Sequence, residues 1–335
     1  MKTSNVARLF SLSAHACVLA ILTGCSSSQP TRVPEQKNIS VRFPIPIVEA
    51  AQAPFYVAQD LGYYSEEQLT VRFEMGSREL NPVKQVATGA DTFGVLGGPD
   101  TLMVARSAGQ PLRAVAVLHR NSNFPCVITL QDSGITDPHQ LEGKKVGFFY
   151  GHISTDVIRN LFRKLDVKVD EVDVGFDYTQ LINKQIAAEW AFTVTAGLDL
   201  PAKGVAINII SPAQYGIVTH GYTIFATETT LSTQPEAVTA FLRATFRGVE
   251  YTLAHPEEAN KAIIRRDPTI DEALSLKRLL AYNAVTSHGP ATPIGYMDLP
   301  MFKTTYDRLA EENVITKPFN PADAFTISFL DRAKN

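Results

Sequence analysis
From Ile39 onward, short β-branched and aromatic runs alternate with helical ones, a rhythm that commits the chain to parallel sheets with helices on their faces. Ile39-Ser40-Val41-Arg42-Phe43 alternates like a strand. Pro54 then stands where a first-turn helical proline belongs, opening Phe55-Tyr56-Val57-Ala58-Gln59-Asp60-Leu61, and Gly62 is placed to end that helix. The spacing predicts strands over 69–73, 92–96 and 112–118, with helices over 82–88 and 101–108 between them. A second unit of the same kind has strands over 145–149, 169–174, 190–194 and 205–210, and a helix over 154–164. Residues 221–226 read as the strand that carries the chain back. In the last third, Val238, Phe241, Leu242, Phe246 and Val249 fall at helical spacing within 234–254. Further helices are expected over 271–285 and 299–312. The fold class is α/β, in two lobes.

The N-terminus carries a different signal. Lys2 and Arg8 precede the apolar stretch ending in Cys17-Val18-Leu19-Ala20-Ile21-Leu22, with no acidic residue before Cys25. Leu22-Thr23-Gly24-Cys25 places small residues immediately before a cysteine, a pattern that resembles the bacterial lipobox. The apolar run is shorter than the roughly 20 residues a membrane-spanning helix needs. The expectation is a signal peptide over 1–24, lipidation at Cys25 and a polar tether over 25–38. The protein would then be held by a lipid anchor on the periplasmic or cell-surface side of the membrane.

Removing Lys2 and Arg8 with the leader moves the formal charge from −3 to about −5. The basic residues are scattered, with no aromatics interleaved among them, which gives no support for nucleic-acid binding. Once Cys17 is lost and Cys25 acylated, Cys126 stands alone, so no internal disulfide is expected in an oxidising compartment. A hydrophobic content of 45 % supplies a packed core.

Ala53-Pro54-Phe55-Tyr56-Val57-Ala58-Gln59-Asp60-Leu61-Gly62-Tyr63-Tyr64 resembles the opening motif of ABC-transporter substrate-binding proteins of the alkanesulfonate and thiamine-pyrimidine group. Further segments match in the same order: Val86-Ala87-Thr88-Gly89-Ala90-Asp91, Ala105-Arg106-Ser107-Ala108-Gly109-Gln110-Pro111, Asp137-Pro138-His139-Gln140-Leu141-Glu142-Gly143, and Pro235-Glu236-Ala237-Val238 with His255-Pro256-Glu257 after it. The ending, from Ile315-Thr316-Lys317-Pro318 to Phe325-Thr326-Ile327-Ser328-Phe329-Leu330, is similar to members that bind thiamine pyrimidines and riboflavin. One stretch departs. Relatives often carry a tryptophan or tyrosine and then Pro-Asn, where this chain has Ile45-Pro46-Ile47-Val48-Glu49. A ring-stacking wall is lost there and an acid gained.

The resemblance implies a type II periplasmic-binding-protein fold, with lobe one over 39–123 and 222–335 and lobe two over 124–221. It implies a monomer that closes on a small-molecule ligand and presents itself to an ABC permease in the inner membrane. A small aromatic heterocycle is the expected ligand, and an alkanesulfonate, taurine or nitrate-type anion held at helix N-termini is the alternative. In open parallel sheets, ligands sit beyond the carboxyl ends of the strands. The turns 52–56, 97–100 and 150–155 fall there and bring forward Pro54, Phe55, Tyr56, Gly98, Asp100, Tyr150, His152, Ser154 and Thr155.

Each candidate has a plainer reading. Phe55 equally suits the core face of its helix, and Ser154 or Thr155 an ordinary helix cap. Trp190 beside Glu189 would stack on a ring and accept from an amino group, or be a core tryptophan next to a surface acid. Tyr215 and Tyr222 flank the return crossing. His119 and Asn121 end a strand of lobe one, and a lone histidine is more often structural than a ligand. An acid at a strand end, such as Glu49 or Asp100, is usually a cap or a solvated charge.

Thiamine-pyrimidine synthases resemble this chain as well, but they carry a cysteine-rich iron-binding motif for which two remaining cysteines leave no counterpart. The histidines lack zinc-type spacing, and there is no nucleophile elbow, P-loop or dinucleotide fingerprint. No cofactor and no metal are expected, and a binding protein is favoured over an enzyme. A ligand-sensing module is the remaining alternative.

Overall fold
The computed structural model describes residues 36–333 apart from 78, 151–153, 176 and 287–288. The leader, Cys25, most of the tether and His152 therefore lie outside the described residues.

Ten strands form two five-stranded sheets. The first takes β1 (Lys37–Arg42), β2 (Leu69–Glu74), β3 (Phe93–Leu96), β4 (Leu112–Val117) and, from far along the chain, β10 (Thr223–Thr227), in the order β2-β1-β3-β10-β4. The second takes β5 (Pro125–Leu130), β6 (Lys145–Phe148), β7 (Asp170–Asp173), β8 (Ala188–Phe192) and β9 (Ile207–Ile210), in the order β7-β6-β8-β5-β9. β1 runs parallel to β2 and β3, and β6 parallel to β7 and β8. β10 and β5 are antiparallel to both of their neighbours. They are the strands that follow the two passages between sheets.

Burial explains the strand patterns. β2, at an edge, alternates, with Thr70 and Arg72 exposed. The central strand β3 is buried at every position because helices cover both faces of the sheet. β5 is buried from Pro125 to Thr129 for the same reason. Among the described strands, it is the one that the sequence pattern did not mark.

The helix Ala53–Asp60 opens with Pro54 in its first turn, and Gly62 follows it with a left-handed φ of 77°. It lies against the long helix Pro235–Ala254, whose predicted stripe is entirely buried. Gly248 permits the close approach. A Cβ there would come within 2.1 Å of the Pro54 carbonyl oxygen and 3.0 Å of the Ala58 Cβ. The helix Pro256–Arg266, unread in the sequence, is mostly polar and turns only Ala259, Asn260, Ala262 and Ile263 inward. Asn260 ties it to the next helix, Glu272–Ala284, by donating to the Glu272 carbonyl and accepting from Ser275.

The chain passes between the sheets twice, after β4 and before β10. The two passages are stitched together. Gly221 N donates to the His119 carbonyl at 2.7 Å, Asn121 N to His220 Nδ1 at 3.1 Å, and Thr219 N to Asn123 Oδ1 at 3.0 Å. A Cβ on Gly221 would meet the His119 Cβ at 2.8 Å, and one on Gly98 would meet the His220 carbonyl at 2.6 Å. Both glycines are required by contact.

Candidate functional site
The loop after β1 ends at Glu49, just beyond the carboxyl end of that strand. Its turn is fixed locally: Glu49 N donates to Gln52 Oε1, Gln52 Nε2 to the Ile47 carbonyl, and Tyr56 Oη to Gln52 Oε1 at 3.0 Å. The Glu49 carboxyl is thereby held among rings from distant parts of the chain. Tyr222 donates a short hydrogen bond to Oε1, and Tyr282 donates to Oε2 at 3.4 Å. His119 stacks on Tyr282 with ring centres 5.1 Å apart and lies 5.5 Å from Tyr222. Phe124 meets Tyr282 edge-on at 5.2 Å.

The electrostatics follow from enclosure. Burial raises the Glu49 pKa, while the two tyrosine hydroxyls and the charge of Arg278 pull it back. Burial and the Glu49 charge keep Tyr222 and Tyr282 protonated, well above the ordinary phenol value. Burial drives His119 down to about 3, so its ring is neutral at physiological pH. The outcome is an acceptor surrounded by aromatic faces. Beside it lies a cavity of about 10 Å³, lined by Ala50, Pro54, Leu118, His119, Leu279 and Tyr282 among others. Arg278, from the helix carrying Tyr282, places Nη2 2.6 Å from both carboxylate oxygens of Asp199, in helix Ala196–Ala202 of the other lobe.

The structure gathers Glu49, Tyr222 and His119 into this cluster, and Tyr56 joins through Gln52. Other candidates go elsewhere. Phe55 is fully buried and packs edge-on against Phe43 and Phe73, which makes it core instead of a cleft wall. The Tyr56 ring is buried too, between Phe73 and the guanidinium of Arg266, and only its hydroxyl points toward the Glu49 loop. Asp100, in the first turn of helix Pro99–Ser107, is neither a cap nor solvated: it forms a close ion pair with Arg308, which also holds Glu312. Gly98 serves as the close-approach point before that helix. Asn121 is exposed in the passage, with a left-handed φ of 53°.

In the second lobe, Glu189 and Trp190 cannot act together. Neighbours along β8 point to opposite faces of the sheet. Trp190 is 1 % exposed and packs with Phe149 and Phe192 over one core. Glu189, also 1 % exposed, turns toward the core built around Cys126, Ile128 and Ala191 on the other face. Thr155 is buried and donates to the Phe149 carbonyl, and Ser154 is buried beside it at the start of helix Ser154–Lys164. Tyr150 is exposed, under the guanidinium of Arg159. Tyr215 lies before the return passage, where its hydroxyl donates to Asp137.

Tyr282, Phe124 and Arg278 escaped the sequence reading. Tyr282 belonged to a stretch already accounted for as helix, and only the folded chain brings it beside Glu49.

A family model described as NMT1/THI5 like matches residues 49–259. The chain is 24 % identical to the riboflavin-binding protein RibY of Chloroflexus aurantiacus, over 93 % of this chain and 95 % of the relative. It is 25 % identical to a formylaminopyrimidine-binding protein of Halalkalibacterium halodurans, over 81 % and 84 %. A 4-amino-5-hydroxymethyl-2-methylpyrimidine phosphate synthase of Legionella pneumophila is 27 % identical, over 67 % and 72 %. Among solved structures, the periplasmic aliphatic sulphonate binding protein SsuA of Escherichia coli superposes with a TM-score of 0.69 at 13 % identity, over 86 % of this chain and 91 % of that one. This likeness shows the two-lobed periplasmic-binding-protein fold. With the match covering most of both sheets, the chain belongs to the NMT1/THI5-like family.

Proposed function
We propose that this protein is the extracytoplasmic solute-binding receptor of an ABC importer, taking a small aromatic heterocycle between its two lobes. The observation that carries the reading is the Glu49 carboxyl enclosed by Tyr222, Tyr282, His119 and Phe124. Flat aromatic faces give a planar ring area to stack on, and the acid gives it an orientation. Two relatives aligned over most of the chain are named for binding riboflavin and formylaminopyrimidine, both planar heterocycles. The lipobox-like Leu22-Thr23-Gly24-Cys25 supports a lipid anchor at Cys25, with an inner-membrane permease as the partner of the closed form. A receptor is favoured over a synthase because the chain retains only Cys126 beyond its leader and Cys25.

The test is thermal unfolding of the purified protein against thiamine, its hydroxymethyl and formylamino pyrimidines, riboflavin, taurine, an alkanesulfonate and nitrate. A ligand present at a hundred times its dissociation constant adds about 2.7 kcal/mol to stability, a visible rise in midpoint. A rise with a pyrimidine or flavin supports the heterocycle. A rise with sulfonate or nitrate alone moves the reading to an anion receptor, and no rise with any of them counts against a receptor for these solutes.

A further inference from the structure
We propose that Glu189 is a proton-operated catch between the lobes. Uncharged, it lets two helices pack on the second sheet and hold Asp199 within reach of Arg278; ionised, it parts that packing. The proposal goes beyond the receptor reading and does not depend on which solute is taken.

The acid lies beneath a helical layer. In β8 it stands opposite Ile128 of β5 and Gly147 of β6, and Ala191, two residues on, stands opposite Cys126. Residues two apart on a strand share a face. Helices Thr179–Ile182 and Ala196–Ala202 cover this one, burying Leu181, Ala196 and Leu200 against it. A Cβ on Gly147 would come within 3.0 Å of the Glu189 Cγ and 2.7 Å of a Val174 methyl, so the acid's stem fills space the glycine leaves. Both carboxyl oxygens are buried with no hydrogen-bond partner among the described residues. Such surroundings accept a carboxylic acid but not a carboxylate, which must recover water or a cation.

The groups that face it do not supply that cation. β5 brings the Cys126 thiol, the turn before helix Thr179–Ile182 brings Asp177 and Tyr178, and helix Ala196–Ala202 brings Asp199. Burial and the Glu189 charge keep Tyr178 protonated. Lys145, two residues before Gly147, and Lys203, just past the second helix, are exposed, and Lys184 is paired with Asp132 at the surface. Ionising Glu189 therefore requires the layer to part. The helix displaced is the one whose Asp199 meets Arg278 of lobe one at 2.6 Å, and Arg278 is then left with the charge of Glu49 on its own side.

With the layer packed, the proton is held up to about pH 8; with it parted, the proton leaves above the ordinary 4.5. Between those values each unit of pH favours the parted form about tenfold, and above them the dependence ends. His119 and His220, driven by burial to about 3 and about 4, titrate below that window.

Hydrogen exchange of the unliganded protein at pH 5, 6, 7 and 8, corrected for intrinsic rates, tests this on the wild type, Glu189→Gln and Asp199→Asn, with small-angle scattering on the same samples. In the wild type, protection over 179–203 is expected to fall about tenfold per pH unit while the radius of gyration grows, and helix Pro235–Ala254 of lobe one should keep its protection. Glu189→Gln should show neither change. Asp199→Asn should keep the fall in protection and lose the change in radius. A flat wild-type profile, or a slope surviving in Glu189→Gln, overturns the proposal. An equal fall in Pro235–Ala254 overturns it too, because the acid would then act on overall stability alone. A radius that still follows pH in Asp199→Asn overturns the link to Arg278. The wild-type and Asp199→Asn profiles decide the matter even where Glu189→Gln fails to fold.

Discussion
Arg278 and Asp199 sit in different lobes, and the guanidinium Nη2 of one lies 2.6 Å from both carboxylate oxygens of the other. The pair is about one-quarter exposed on each side, so it is worth little in absolute terms, about 0.5–1 kcal/mol. That is enough to tilt an equilibrium between open and closed lobes. Arg278→Ala is expected to weaken ligand binding about two- to fivefold and to raise the radius of gyration of the unliganded protein in small-angle scattering. An unchanged radius and affinity would mean that the pair takes no part in closure.

Glu189 is a buried acid whose two carboxyl oxygens have no hydrogen-bond partner among the described residues. Burial, and then the charge of Asp177, push its pKa from 4.5 up to about 8. Between those two values the unfolded chain has lost the proton and the folded protein keeps it, so stability falls as pH rises from 4.5 to 8. Glu189→Gln removes that dependence. The variant should be more stable than the wild type at pH 8, by at most roughly 5 kcal/mol, with the gap closing toward pH 4.5. Denaturant midpoints across that range read the difference directly. A gap that widens on acidification would contradict a raised pKa.

Trp190 separates a packing role from a binding role. Enclosed beside Phe149 and Phe192, it should cost about 3–5 kcal/mol of stability when changed to alanine. Affinity measured on the folded fraction should stay within about threefold of wild type. A large loss of affinity at unchanged stability would return Trp190 to the ligand.

Gly248 is predicted to be intolerant of even a methyl group. Gly248→Ala would drive a carbon into the Pro54 carbonyl, and backbone on both sides must shift. A destabilisation of about 1–3 kcal/mol is expected, seen as a lowered unfolding midpoint. Because Pro54 also lines the small cavity beside His119 and Tyr282, the variant should weaken binding as well.

The elements were largely legible because their signals are local. The stripe of Val238, Phe241, Leu242, Phe246 and Val249 shows a helix face within a few turns, and Thr70 and Arg72 mark an edge strand within six residues. The site was not, because its contacts are long. Glu49 meets Tyr222 and Tyr282 across 173 and 233 positions, and no local pattern ties a helical tyrosine to an acid that far upstream. The pairing of Glu189 with Trp190 failed for the opposite reason. They are adjacent in sequence, but the pleat of a strand sends adjacent side chains to opposite faces. Asp100 was misread because its partner, Arg308, lies in a helix near the other end of the chain.

The two stitched passages between the sheets have a mechanical consequence. A single covalent link between two bodies would leave them free to bend, roll and twist. Two links side by side, cross-tied by the bonds of Gly221, Asn121 and Thr219, behave like the paired pins of a door. Swinging about the line through both passages strains neither, whereas twisting across it must stretch one against the other. The cross-ties favour swinging about that line over twisting across it, and Tyr222 follows Gly221 directly along the chain there.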